Sequence, residues 1–201
     1  MKYTWLIDSG HGGMVEGKYQ TAPKKMHVHH DGSIFYEGVF NRDIKHMLID
    51  KLMARDIVCI DVCHTELDIP LDTRVDVINN YYKEYANAVL ISLHSNAGGG
   101  TGFEIWTSYG QTRSDKFAQI IGEQLIADFA DITFRADTAD DDLDKESQFY
   151  ILKWTRCPAV LPECLFFDNW NDYKLLVDPD FQNDYVDSLV RAIMKTETKD
   201  I

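Results

Sequence analysis

Short apolar runs alternate along the chain with longer stretches in which apolar residues recur every three or four positions. The runs Tyr3–Asp8, Ile57–Val62, Ala88–His94, Gly102–Thr107 and Ala159–Glu163 are rich in Val, Ile, Leu and aromatic residues and read as strands. Between them Phe40, Ile44, Met47, Leu48 and Leu52 repeat at helical spacing, as do Val75, Ile78 and Tyr82, and Phe117, Ile121, Leu125 and Phe129. A last helical stripe carries Tyr185, Leu189 and Ile193. Strands separated by helices imply an α/β layer fold: a mostly parallel twisted sheet of about five or six strands with helices on both faces. No repeat, linker or low-complexity tract interrupts the pattern, so residues 1–201 read as a single domain.

Two segments fall outside this rhythm. Gly12 to Tyr36 has little periodicity and reads as a long loop, which in a compact domain is usually functional or mobile. "DTADDDLDKE", residues 137–146, concentrates acidic charge and reads as a solvated loop that could border a cleft. It lacks the glycine and distal glutamate spacing of a calcium-binding EF-hand loop.

Charge narrows the choice of partner. The formal net charge of −13 repels polyanions, which argues against nucleic acid or an anionic membrane surface. No stretch approaches the roughly 20 apolar residues that membrane insertion requires, and the N-terminus shows no basic-then-apolar export signal. Synthesis in the cytoplasm is the expectation. Cys59, Cys63, Cys157 and Cys164 form no CxxC pair and read as buried free thiols.

In sheets of this kind ligands collect at the carboxyl ends of the strands. There the first strand runs into "IDSGHGG" with His11, "AVLISLHSNAGGG" carries His94, and "CPAVLPE" ends on Glu163. Each histidine could simply bond to a loop. Two of them, both flanked by glycines that let a backbone come close, make half of a metal site. Candidates for a third ligand are Glu16, Glu37 and the group His27, His29 and His30. Glu37 lies just ahead of the helix that begins near Phe40, where packing fixes the backbone, although a carboxylate there also suits the helix dipole. The loop histidines read as surface residues. Glu163, set among apolar neighbours, has the surroundings that raise a carboxyl pKa toward a range useful for proton transfer; its alternative is an ion pair with Arg74 or Arg156. A serine triad at Asp8, Ser9 and His11 fails because adjacent residues of a strand face opposite ways. The glycines lack phosphate-loop or dinucleotide spacing.

With these residues placed, the sequence resembles the type 3 family of zinc-dependent N-acetylmuramoyl-L-alanine amidases over nearly its whole length. "IDSGHGG" resembles the family's "DPGHGG", "YEGVFNRDI" its "EKDVNL", and "ISLHSNA" its "SIHANA". "LDTR" and "GFEIW" follow the family order, and "FYILKWTRCPAVLPECLFFDNWND" is similar to its catalytic segment. The resemblance implies zinc ligands at His11, Glu37 and His94, a catalytic glutamate at Glu163, and peptidoglycan as partner. It further implies cleavage of the amide between N-acetylmuramic acid and L-alanine. Rival readings are a zinc peptidase cutting within the stem peptide and a wall-binding module without catalysis. A chain without an export signal fits a phage or prophage lysin released to the wall; a trimmed catalytic domain of an exported enzyme would look the same. Two departures from the family pattern carry expectations: Ser9 in place of proline should loosen the turn, and Leu165 in place of glycine should resist a left-handed backbone.

Overall fold

The computed structural model describes residues 2–138, 142–199 and 201. In chain order the elements are β1 (Thr4–Ser9), β2 (Met14–Val15), β3 (Lys18–Tyr19), β4 (Met26–Val28), β5 (Ile34–Tyr36), α1 (Glu37–Met53), β6 (Cys59–Asp61) and α2 (Leu71–Glu84). They continue with β7 (Ala88–Asn96), β8 (Glu104–Thr107), α3 (Arg113–Asp128), β9 (Lys145–Glu146), α4 (Tyr150–Trp154), β10 (Ala159–Phe166), α5 (Trp170–Leu176) and α6 (Pro179–Glu197).

Strand alternation sorts the core into two layers. In β1, Trp5 and Ile7 point to one face and Leu6 to the other. The first face, continued by Val89, Ile91 and Val160, is covered by α1, α3 and α6; the second, continued by Leu90 and Leu161, is covered by α2 and α4. The central sheet has six strands in the order β6-β1-β7-β10-β8-β9. The first four run parallel and β8 is antiparallel to β10. This is the expected α/β architecture, with helices on both faces.

Four local expectations change. The segment from Gly12 to Tyr36 is not one irregular loop: it folds into two small hairpins, β2–β3 and β4–β5. Helix α1 begins at Glu37 itself rather than near Phe40. Residues 139–141 of the acidic stretch lie outside the described residues, but its end is not solvated. Asp144 is buried and accepts from Thr107 Oγ1, and Lys145–Glu146 pair with β8. Leu165 does adopt the left-handed backbone, at φ +56°, with its side chain fully buried, because the irregular register between β10 and β7 and the core beneath both demand it. The cysteines are free thiols, three buried and Cys59 half-buried. Among the described residues no helix is long and apolar enough to cross a membrane.

Candidate active site

The register of three neighbouring strands decides which side chains meet. Ser9 at the end of β1 pairs with Leu93 of β7, and His94 pairs with Glu163 of β10. By alternation Asp8, His94 and Glu163 all leave the sheet toward the face covered by α2 and α4. Ser9 is fully buried as the last residue of β1, so the turn expected to be loose follows a tightly held strand.

The bend falls on His11 itself, at φ +65°, a conformation costing a non-glycine residue roughly 1–2 kcal/mol. Two arginines hold it there. The His11 carbonyl accepts from an Nη of Arg42 at 2.8 Å and an Nη of Arg74 at 2.9 Å. Arg74 in turn forms a buried ion pair with Asp8 at 2.9 Å and donates to the carbonyls of Ser9 and Ile69, while Arg42 donates to those of Gly38 and Thr65. The bend also brings backbones together: a Cβ at Gly38 would lie 1.9 Å from the Gly12 carbonyl oxygen. A Cβ at Gly10 would lie 2.1 Å from His94 Cε1.

Glu37 opens α1, where the unpaired N–H groups favour negative charge. The hairpin segment supplies the caps: the Glu37 N–H donates to the Lys25 carbonyl at 3.1 Å, and the Gly38 N–H donates to Tyr19 Oη at 2.9 Å. Glu37 is fully buried, with its Oε1 3.2 Å from His11 Nε2 and 3.0 Å from His94 Nδ1. Burial alone would push its carboxyl up, but hydrogen bonds and charge from both imidazoles outweigh it and hold the group well below the usual carboxylate range. His11 is shifted down, chiefly by burial, with Glu37 opposing. Three donor atoms, one from each of His11, Glu37 and His94, lie within 4.8 Å of one another, a grouping that could hold a metal ion.

Glu163 faces the same space. With His11, His94 and Lys25 it lines a cavity of about 190 Å³, whose lining also includes Phe149 and Tyr150. Its Oε2 is buried with no hydrogen-bond partner. Burial, then the charge of Glu37, pushes its carboxyl well above the usual range; Lys25 opposes this and Glu104 adds to it. The ion pair with Arg74 that the sequence also allowed is not formed, because Arg74 pairs with Asp8, and among the described residues Glu163 Oε2 has no hydrogen-bond partner. Sequence reasoning missed Glu104, which stands opposite Glu163 on β8 and accepts from Arg135, Lys145, Asn96 and Trp106.

The other third-ligand candidates stand apart from this group. Glu16 is exposed in the β2–β3 turn. His27 is half-buried and His30 exposed, but His29 is not the surface residue expected: it is buried and stacks on Tyr173 at 3.9 Å, while His30 meets Trp170 edge-on at 4.3 Å. These rings fasten the β4–β5 hairpin to α5.

By fold and site together the chain is an α/β protein in which a group of side chains that could hold a metal ion stands beside the buried carboxyl of Glu163. The family can be named as well. A model described as N-acetylmuramoyl-L-alanine amidase matches residues 6–195, and the chain belongs to that family. It is 26% identical over 175 residues to the N-acetylmuramoyl-L-alanine amidase CwlM of Bacillus licheniformis, covering 85% of this chain and 59% of that protein. It is 30% identical over 127 residues to the sporulation-specific N-acetylmuramoyl-L-alanine amidase of Bacillus subtilis, covering 62% of this chain and 43% of that one. The chain thus spans about half the length of these relatives. Its fold matches the N-acetylmuramoyl-L-alanine amidase of Clostridium difficile 630 with a TM-score of 0.77 at 24% identity over 98% of both chains. It also matches the catalytic domain of the CD27L endolysin, which targets Clostridia difficile, with a TM-score of 0.66 at 18% identity over 96% of this chain and 97% of that one.

Proposed function

We propose that residues 1–201 form one catalytic unit, a zinc-dependent N-acetylmuramoyl-L-alanine amidase. In this reading His11, Glu37 and His94 hold Zn²⁺ and Glu163 moves the protons. The observation that carries it is the grouping of those three donors, two of which, His11 and His94, line one cavity with Glu163, whose buried Oε2 has no hydrogen-bond partner among the described residues. Its place of action is the cell wall, reached by lysis or export.

The donor set fits zinc. Two imidazoles and a carboxylate are ligands this ion takes in hydrolytic sites with a fourth position open. His11 Nε2 meets only Glu37 Oε1, and among the described residues Glu37 Oε2 is buried without a hydrogen-bond partner; a bound cation would satisfy both atoms. When bound, zinc supplies Lewis acidity toward a carbonyl and toward water.

The chain's own residues do the rest. The arginine-held turn keeps the His11 ring in place, and Gly10 leaves room for the His94 ring beside it. Phe149 and Tyr150 add exposed aromatic surface to the cavity lining. Glu163 takes a proton from the attacking water as the carbon–oxygen bond forms. It then returns that proton to the departing L-alanine nitrogen as the carbon–nitrogen bond breaks, leaving a lactyl carboxylic acid, which ionises in water, and a free amine.

The test is metal analysis of the purified chain together with mass spectrometry of digested peptidoglycan. About one zinc per chain, free L-alanine amines and intact glycan strands are expected. New ends within the stem peptide would instead identify a peptidase, and wall binding without cleavage would identify a binding module.

A further inference from the structure

Lys25 stands out among residues that no motif marks. Its backbone is left-handed at φ +61°, strained for a residue with a side chain, yet it is fastened from two directions. Its carbonyl accepts the Glu37 N–H at 3.1 Å and Tyr19 Oη at 2.9 Å. The next residue opens β4, whose hairpin is pinned to α5 by the His29 and His30 rings. The position of Lys25 is therefore set by the same contacts that cap the helix bearing Glu37.

Its ammonium lies at the mouth of the site. Nζ is 3.6 Å from Glu37 Oε2, the side chain is 45% exposed, and Lys25 lines the cavity shared by His11, His94 and Glu163. Among the described residues it is the one lysine or arginine that does so. Arg74 lines the adjoining cavity of about 330 Å³, but its guanidinium is committed to Asp8 and to the carbonyls of Ser9, His11 and Ile69. Among the described residues the Lys25 ammonium makes only the long contact with Glu37. If Glu37 gives its charge to a bound cation, the ammonium loses most of that attraction and meets a like charge instead. It is then left beside the substrate path in a protein of net charge −13, in want of an anion.

The proposed substrate offers one close by. Beyond the scissile nitrogen the alanine is joined to a glutamate linked through its side chain, so the glutamate's α-carboxylate is the first free negative charge of the stem. We propose that Lys25 is a specificity-determining residue whose ammonium pairs with this carboxylate of the second stem residue, and selects it over the amidated form. Half-exposure suits that role: Lys25 reaches solvent at the rim of the cavity, whereas Glu163 is buried within it. The proposal rests on the zinc amidase reading.

The experiment compares two synthetic substrates, N-acetylmuramoyl-L-alanyl-D-isoglutamate and its D-isoglutamine counterpart, each with the side-chain carboxyl blocked as an N-methylamide, on the zinc-loaded chain. The wild type should favour the carboxylate substrate about tenfold in kcat/KM, mostly through KM. Lys25→Met should bring the ratio near one by slowing the carboxylate substrate alone, and Lys25→Arg should keep the preference. Calorimetry with the likewise blocked product dipeptide L-alanyl-D-isoglutamate should show about tenfold weaker binding to the Met variant, at unchanged zinc content. Equal cleavage of both substrates by the wild type, equal losses on both in Lys25→Met, or a fall in zinc content would overturn the role of Lys25 while leaving the amidase reading intact. Failure of the wild type to cleave either substrate would overturn both.

Discussion

Gly10→Ala tests whether the site is held by close packing. A Cβ built at Gly10 falls 2.1 Å from His94 Cε1 and 2.5 Å from both ring nitrogens, whereas ordinary contact begins at 3.4 Å. The backbone at Gly10 lies outside the left-handed region, so alanine meets no conformational obstacle. On flexibility alone the change would stabilise the protein by about 0.4–1 kcal/mol. The clash decides the outcome: either the ring moves by about 1.3 Å or the strand ends separate, an overpacking cost of about 1–3 kcal/mol. Metal ligands tolerate displacements of only about 0.2 Å, so a ring moved that far stops being one. Urea unfolding of the metal-free variant should show a net loss of about 1–2 kcal/mol with unchanged slope. Chelator competition should show zinc binding weakened by about 100-fold or more. A variant as stable as the wild type that binds zinc equally well would refute the claim that Gly10 makes room for the His94 ring.

Other perturbations address the supports around it. Arg74→Ala leaves Asp8 buried and unpaired and frees the His11 carbonyl, so chemical denaturation should register a loss of about 3–5 kcal/mol. The companion change Asp8→Ala should recover part of it. Glu163→Gln should slow amide cleavage by about 10²- to 10⁴-fold with zinc content unchanged. In the metal-free protein the sign of its effect follows from the raised carboxyl pKa. The wild type has its full stability below the unfolded value of about 4.5 and loses it as pH rises toward the folded value, so the Gln variant should match at pH 4 and gain in relative Tm by pH 8. Asp144 follows the same rule, since burial, opposed by the bond from Thr107, pushes its carboxyl up to about 7. Stability present below about 3.8 is lost as pH climbs through about 7, by at most about 4 kcal/mol. Thermal melts of Asp144→Asn across that window should be flatter than those of the wild type.

What the sequence could reveal of this molecule depended on the length scale of the pattern. The strands around Leu6, Leu90 and Val160 and the long helices were legible because each buries a periodic apolar face. Strand β9, two polar residues long, and α4 and α5, of five and seven residues, are too short for a period to register. The direction of β8 against β10 follows from connections that no composition encodes. Glycines flanking His11 signalled a bend, but not that His11 itself would bear the positive φ. That conformation is imposed from a distance by Arg42 and Arg74. Arg42 and Lys45, charges in the middle of α1, would ordinarily mark a solvated face. Here both are buried: Arg42 donates to the Thr65 carbonyl, and Lys45 donates to the Cys63 carbonyl and pairs with Asp61.

The same reasoning explains why the candidate site tolerates departures from its family's motifs. Proline at position 9 would stiffen the approach to His11 from within the turn, but Ser9 already lies in a paired strand with its carbonyl bonded to Arg74, so the stiffness comes from tertiary contacts. Glycine at position 165 would make the left-handed backbone easy. With Leu165 the local cost of about 1–2 kcal/mol is offset by a fully buried leucine side chain, which contributes about as much. In both places the backbone path beside the site is retained while its energetic source shifts from local conformational preference to packing. It follows that substitutions in the core beneath β10 should disturb Glu163 more in this chain than in relatives that keep the glycine, because here the core, rather than the residue's own preference, holds the bend.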